Sequence, residues 1–395
     1  MDTPSTVLRV RELRVRHGMS QTELAEAAGL DLRTLRAVEL DPDTGNAKLA
    51  TLHRIARVLG VTTGALFTPP HPDVVSARHD VHQLRALLEP PPPTPEAPER
   101  KALNALLREA DLRVRDNDID NAVLAIALLI PHARAAVDAA PSPADRRAAS
   151  SVLVRGYDRM AAVLTVVGEH ELALKAADLL EQVAQAESEP MWAAGAVAAR
   201  SHPLMRQGRF TEVISQAEAA AAHIEPSITT QDDEQVAMWG RLMRWISGAA
   251  ARDNQPDAAA DAIRRAGVAA AILGSDRVIS NHSMGPTAVA IRKLENAVVA
   301  EDFGLAKRLL NAFPRDGRVL PKDRHRHALD VANVAVESRQ PDRAIEILCQ
   351  LRDDAPAWLQ SQPYATAIGT KLVKASKRRL TPQVRELADF LSVPA

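Results

Sequence analysis

Apolar positions near the start of the chain recur at helical spacing. Val7, Val10 and Leu13 form one stripe, and Leu24 with Ala27 begin another. Gly18 ends the first predicted helix. Ser20 suits the N-cap of a second, and Glu23 three positions later completes a capping box. Gly29 falls just past that helix, where a left-handed backbone is expected. Asp31 caps a third helix that runs to about Leu40, and Pro42, Asp43 and Gly45 make a loop. A fourth helix over about Leu49–Leu59 stops at Gly60, and a short fifth starts after Thr62-Thr63. Segment 7–66 therefore reads as a five-helix module.

A further helix is predicted over 76–88. The run Glu89-Pro90-Pro91-Pro92-Pro93-Thr94-Pro95 then excludes helix and favours extended polyproline II, a semi-rigid spacer. The expected division is an N-terminal module over 1–70, a linker with the spacer over 71–98, and a second domain over 99–395.

Beyond Glu99 helical segments alternate with short polar turns, and the turns repeat a pattern. A turn residue stands at Asn117, Gly168, Gly208, Asn254, Glu301 and Arg339. Five positions on comes a small or compact apolar residue: Ala122, Ala173, Val213, Ala259, Ala306 and Ala344. An apolar helix follows each time. The pattern describes helical hairpins whose second helix approaches its partner closely. The spacings are 51, 40, 46, 47 and 38 residues. The fold expected is all-α, a helix-turn-helix head followed by an α-solenoid; a generic helical bundle is the alternative.

Composition narrows the function classes. Aromatic residues make up 3% of 395 residues and there are 17 glycines, which suits packed helices better than sheets. The net charge of −1 means that any basic footprint for nucleic acid is local. The one cysteine, Cys349, allows no internal disulfide and reads as a small hydrophobe. The start Met1-Asp2-Thr3-Pro4 lacks the charged and apolar run of a signal peptide. No stretch reads as the ~18 uncharged apolar residues needed to cross a bilayer, so a cytoplasmic protein is expected.

The segment from Arg16 to Glu39 resembles the helix-turn-helix of phage repressors and their bacterial relatives, the Xre or Cro type. The Ser20-Gln21 opening, the Leu24-Ala25 pair, the turn Gly29, apolar Leu35 and Val38 and the closing Glu39 carry the likeness. It covers about 60 residues, including Leu52–Val61 as the family's fourth helix. The resemblance implies binding to double-stranded DNA, with the third helix in the major groove, where base pairs present distinct patterns. Leu32, Arg33 and Thr34, with Arg36 and Ala37 one turn on, would face the bases. Arg33 is the candidate for forked bonds to guanine, and Leu32 and Ala37 for thymine methyls. Gln21 and Lys48 would hold phosphates. Many relatives carry Gln or Ser where this chain has Leu32 and Ala37, so the operator cannot be read off. Arg9, Arg11, Arg14 and Arg16 spread over more than one face of the first helix.

The hairpins resemble divergent tetratricopeptide repeats, whose period is about 34 residues, with longer loops. A repressor-type head on such repeats is similar to the peptide-sensing RRNPP regulators of Gram-positive bacteria. That resemblance implies dimerisation and a signalling peptide, as in quorum sensing. Counting back from Ala173, Ala259 and Ala344 places Arg155, Arg241 and Arg326, then Asp158, Arg244 and Leu329, then Ala162, Gly248 and Asn333 in the groove. Arginines there, with Asn333, suit a peptide backbone or terminal carboxylate. They equally suit a solvated helix face, and a shift of one residue moves every assignment.

His79-x-x-His82 and His325-x-His327 lack the further ligands of a metal site, so no metal or cofactor is expected. No phosphate loop, nucleophile motif or HExxH occurs, and an enzyme is not expected. The functional expectation is a dimeric, sequence-specific DNA-binding regulator whose repeats sense a peptide or small molecule. The alternatives are a DNA-bound adaptor that recruits a protein, and an antitoxin or phage-type immunity regulator.

Overall fold

The structure is a computed structural model. It describes residues 10, 11, 13–15, 19–40, 49–59, 61, 66, 81–88, 96–227, 230, 232–314, 316–375 and 381–393. Gly18, the loop around Pro42 to Gly45, Lys48, Gly60, Thr62-Thr63, His79 and the proline run lie outside those residues.

In the head, residues 10, 11 and 13–15 are helical, and α1 (Gln21–Ala27), α2 (Leu32–Leu40) and α3 (Leu49–Val58) follow. Both halves of the expected capping box form: Glu23 N donates to Ser20 Oγ at 3.2 Å, and Ser20 N donates to a Glu23 carboxylate oxygen at 2.7 Å. Gly29 takes φ +61°, the left-handed turn between α1 and α2. Asp31 then accepts from Thr34 N at 2.8 Å and so caps α2. Val10, Leu24, Leu35, Ile55, Leu59 and Leu66 close one core with no solvent contact.

Of the helix expected over 76–88, α4 spans His82–Ala86. The chain then builds stacked hairpins: α5 (Arg100–Arg115) with α6 (Ile119–Asp138), α7 (Pro143–Val166) with α8 (His170–Ala186), and α9 (Pro190–Arg206) with α10 (Phe210–His223). Next come α11 (Asp233–Arg252) with α12 (Pro256–Leu273), α13 (Pro286–Val299) with α14 (Phe303–Asn311), and α15 (Pro321–Glu337) with α16 (Pro341–Asp354). The short α17 (Pro356–Gln360), α18 (Pro363–Ala375) and α19 (Pro382–Phe390) close the series. The molecule is all-α in class, a helix-turn-helix head on a helical solenoid. Nine of these helices open with proline in the first turn, where its missing N–H costs nothing.

The repeated turn has one geometry. Asn117, Gly168, Gly208, Asn254, Glu301 and Arg339 all adopt left-handed backbone, with φ between +57° and +90°. The next residue's N–H returns to the preceding helix each time, as in Asp118 N to Arg113 O at 3.0 Å and Gln340 N to Ala335 O at 2.9 Å. This is the Schellman closure, which satisfies a helix-end carbonyl while reversing the chain. Ala122, Ala173, Val213, Ala306 and Ala344, five positions after the turn residues, have no solvent contact and let the paired helices approach.

The solenoid curls until its end meets its beginning. One apolar core contains Leu107, Ile126 and Leu164 together with Leu329, Leu348 and Trp358. Asn117, at the first turn, shares a 3.1 Å hydrogen bond with His325 of α15.

The expectation of helices alone beyond Glu99 needs one correction. A β-hairpin interrupts the series, with β1 (Arg277–Ile279) antiparallel to β2 (His282–Met284). Its turn residues Ser280 and Asn281 take φ +48° and +62°, the pair of left-handed residues that a tight hairpin turn requires. The hairpin crosses the inside of the ring. Arg159 Nη2 donates to Ser280 O at 2.9 Å, and Asn281 Nδ2 donates to Asp111 O at 3.1 Å.

A second correction concerns hydropathy. By length and composition α6 is apolar enough to cross a bilayer. Its apolar residues have a different use: Ala122, Ile126, Leu129, Ile130 and Ala133 are buried in the core between α5 and α7. Cys349 is half-buried and packs against the same core.

Candidate nucleic-acid interface

The head's geometry rests on a buried ion pair. Arg14 Nε and Nη2 donate to the two carboxylate oxygens of Glu39 at 2.6 and 3.0 Å, and Arg14 Nη1 donates to Met19 O at 2.8 Å. The pair ties the first helix to the end of α2 and to the turn before α1. Burial pushes the Glu39 carboxyl upward, but the bonds from Arg14 and Gln21 outweigh it and hold the group below the usual carboxylate range. From α3, Arg54 Nη1 donates to Gly29 O at 2.9 Å and fixes the turn between α1 and α2.

This frame sets what each expected DNA contact presents. The Arg33 side chain is exposed and has no hydrogen-bond partner among the described residues, and Ala37 is exposed one turn on. Leu32 is half-buried against the head's core, so only part of it faces outward. The Thr34 hydroxyl donates to Asp31 at 2.6 Å and belongs to the cap of α2. Gln21 donates to Glu39 at 2.7 Å, and its carbonyl accepts from exposed Arg36 at 3.4 Å. Gln21 and Arg36 thus form a preset pair across α1 and α2. Of the first helix's arginines, Arg11 is exposed whereas Arg14 is committed to Glu39.

Two helices are thus locked at a fixed angle by a buried pair and a glycine turn, with one face of the second left open. Residues 10–66 match the family model described as helix-turn-helix. The head is a helix-turn-helix DNA-binding domain of the Xre type. No curated protein matches the chain.

The helix-turn-helix head is docked on the solenoid through α3. Arg57 pairs with Asp253 at the end of α11. The His53 ring meets Phe210 edge-on at 5.5 Å. Burial, with Arg252 nearby, lowers the His53 imidazole to about 3, so it docks neutral. A groove between head and solenoid is lined by Arg57 and by the turns around Gly168 and Gly208.

The groove residues expected on the repeats fall on inner helices, and several are already engaged. Arg241 donates to Asp158 at 3.2 Å, and Asp158 also meets Arg159 and, at 3.1 Å, His282 of the hairpin. Arg155 lies 3.6 Å from Asp111. Arg326 donates to Asp330 at 3.2 Å and covers the Tyr364 ring at 4.9 Å. Asn333 accepts from Lys371 at 3.0 Å. Leu329 is buried in the apolar core and takes no part in the groove. Arg244 makes no hydrogen bond or ion pair among the described residues.

Sequence reasoning missed His202, Arg206, Arg252, Arg292 and Glu295. Two of them were within reach. The count of eleven positions back, applied also to Val213 and Ala306, lands on His202 and Glu295.

Proposed function

We propose that the chain is a sequence-specific transcription regulator that binds double-stranded DNA as a homodimer and whose solenoid senses a small effector or a peptide. The observation that carries the DNA reading is α2, held by the Arg14–Glu39 pair with Arg33 and Ala37 facing solvent. A helix fits the major groove with its N-terminal residues at the base edges. Arg33 reads guanine, Leu32 and Ala37 offer apolar contact, and Arg36, Gln21 and Lys48 hold phosphates. Thr34 contributes chiefly by capping α2, because its hydroxyl is taken by Asp31. Dimerisation follows from the size of the head, which covers a single half-site.

The sensing role is supported by charged side chains turned into the ring from several hairpins, Asp158, Arg241, Arg244 and Arg326 among them. The reading is tested by selecting duplexes from a random pool with the purified chain and sedimenting the complex. The expected result is one enriched palindrome bound by two copies. Unselected DNA, or a monomer on the selected site, contradicts it.

A further inference from the structure

Inside the ring, α9, α11, α13 and α15 bring guanidinium groups together in excess of their counter-charges. Glu295 of α13 accepts from Arg252 at 2.5 Å, pairs with Arg292 at 2.7 Å, and lies 3.7 Å from Arg326. Arg326 is shared with Asp330. Two more guanidiniums have no carboxylate at ion-pair distance among the described residues. Arg206 reaches only the neutral amide of Gln362, at 3.4 Å. Arg244 has a buried Nε with no partner, and Asp323 acts on it only from beyond ion-pair distance. Arg252, Arg292 and Arg326 thus share Glu295 and Asp330, and Arg206 and Arg244 are left over.

Such an excess is costly without a compensating anion, because buried charge is retained only when paired. The cost is visible at the two unpaired groups. Burial, with neighbouring arginines, lowers both Arg206 and Arg244 to about 10, yet both remain cationic at neutral pH. The arrangement is also built. Gly248 leaves room for Arg292 to lie across α11, since a Cβ there would stand 2.5 Å from Arg292 Nη1. Trp245 is held between Arg292 and His202, at 5.6 Å from each. Arg206, Arg244 and Trp245 each keep some solvent contact.

We propose that this inner face binds a small polyanion, a molecule with two or more carboxylate or phosphate groups, between Arg206, Arg244 and Arg292. Guanidinium forks suit both oxyanions, and two unpaired forks on different helices select for more than one anionic group. The site gives the sensing role of the solenoid, on which it rests, a ligand class.

The test is calorimetric titration of the full-length, DNA-free protein with citrate and with inorganic pyrophosphate, at matched ionic strength and with acetate as the single-charge control. Citrate or pyrophosphate is expected to bind saturably and to raise Tm, while acetate does neither. The stronger of the two distinguishes a carboxylate ligand from a phosphorylated one. Arg206→Gln and Arg244→Gln should each weaken binding by about tenfold or more. Neither should lower the Tm of the free protein, because each removes an unpaired charge. Absence of saturable binding by both probes, or wild-type binding by both variants, overturns the site. Binding that leaves DNA affinity unchanged keeps the site and removes the sensing role instead.

Discussion

Arg252 and Asp253 are consecutive residues that serve two different contacts. Arg252 donates to Glu295 inside the ring at 2.5 Å, while Asp253 pairs with Arg57 of the helix-turn-helix head. The end of α11 therefore carries both an inner charge network and the head's anchor. Any change that draws Arg252 away from Glu295 acts one residue from the contact that fixes the head.

The anchor itself is testable. Arg57 is 40% exposed at its side chain, so the pair contributes modestly, about 0.5–1 kcal/mol. Asp253→Asn should raise hydrogen exchange in α3 without changing exchange in α5 or α6. Unchanged exchange at α3 would show that the Arg57–Asp253 pair does not hold the head.

Docking should also weaken in acid. His53 has its folded value lowered to about 3, against an ordinary value near 6.5. A group whose folded value is depressed contributes stability that is full above its unfolded value and lost as pH falls. Between about pH 6.5 and 3 the loss runs at about 1.4 kcal/mol per pH unit. His170, lowered by burial to about 4, adds to the trend at the neighbouring turn. His53→Gln should therefore show a shallower pH dependence of α3 exchange than the wild type. Equal slopes would remove His53 from the account.

Much of this was legible in the sequence, for identifiable reasons. The six turn residues were readable because left-handed closure and a compact partner five positions on recur at fixed offset. The capping box was readable because it is local. The β-hairpin was not: three-residue strands carry no period, and Ser280-Asn281 becomes a turn signal only once both residues are seen left-handed. The inner charge network was half legible. Its residues sit at offsets the turns define, but which arginine meets which carboxylate depends on how far the ring curls. The commitments of Gln21, Thr34 and Leu32 within the head depend likewise on side-chain packing that spacing does not encode.

The ion pair that frames the head predicts a large effect from a single change. Arg14→Ala leaves Glu39 buried without its cation, a loss of about 3–5 kcal/mol. The head should unfold well below the solenoid, read as lost protection in α1 and α2 on heating. Glu39 lies below its ordinary value in the fold, so its contribution is present above about pH 4.5 and lost in stronger acid. Arg14→Ala should flatten that acid limb, and an unchanged limb would assign it to other carboxylates.

The most direct test of the account is the affinity of Arg33→Ala for the duplex selected by the wild-type chain. The Arg33 side chain is exposed at the start of α2 and makes no hydrogen bond to the described residues, so its truncation leaves the fold intact. The expected result is a loss of about 1–3 kcal/mol at that site, with relaxed preference at one base pair of each half-site. Unchanged affinity and unchanged preference would contradict base reading through α2.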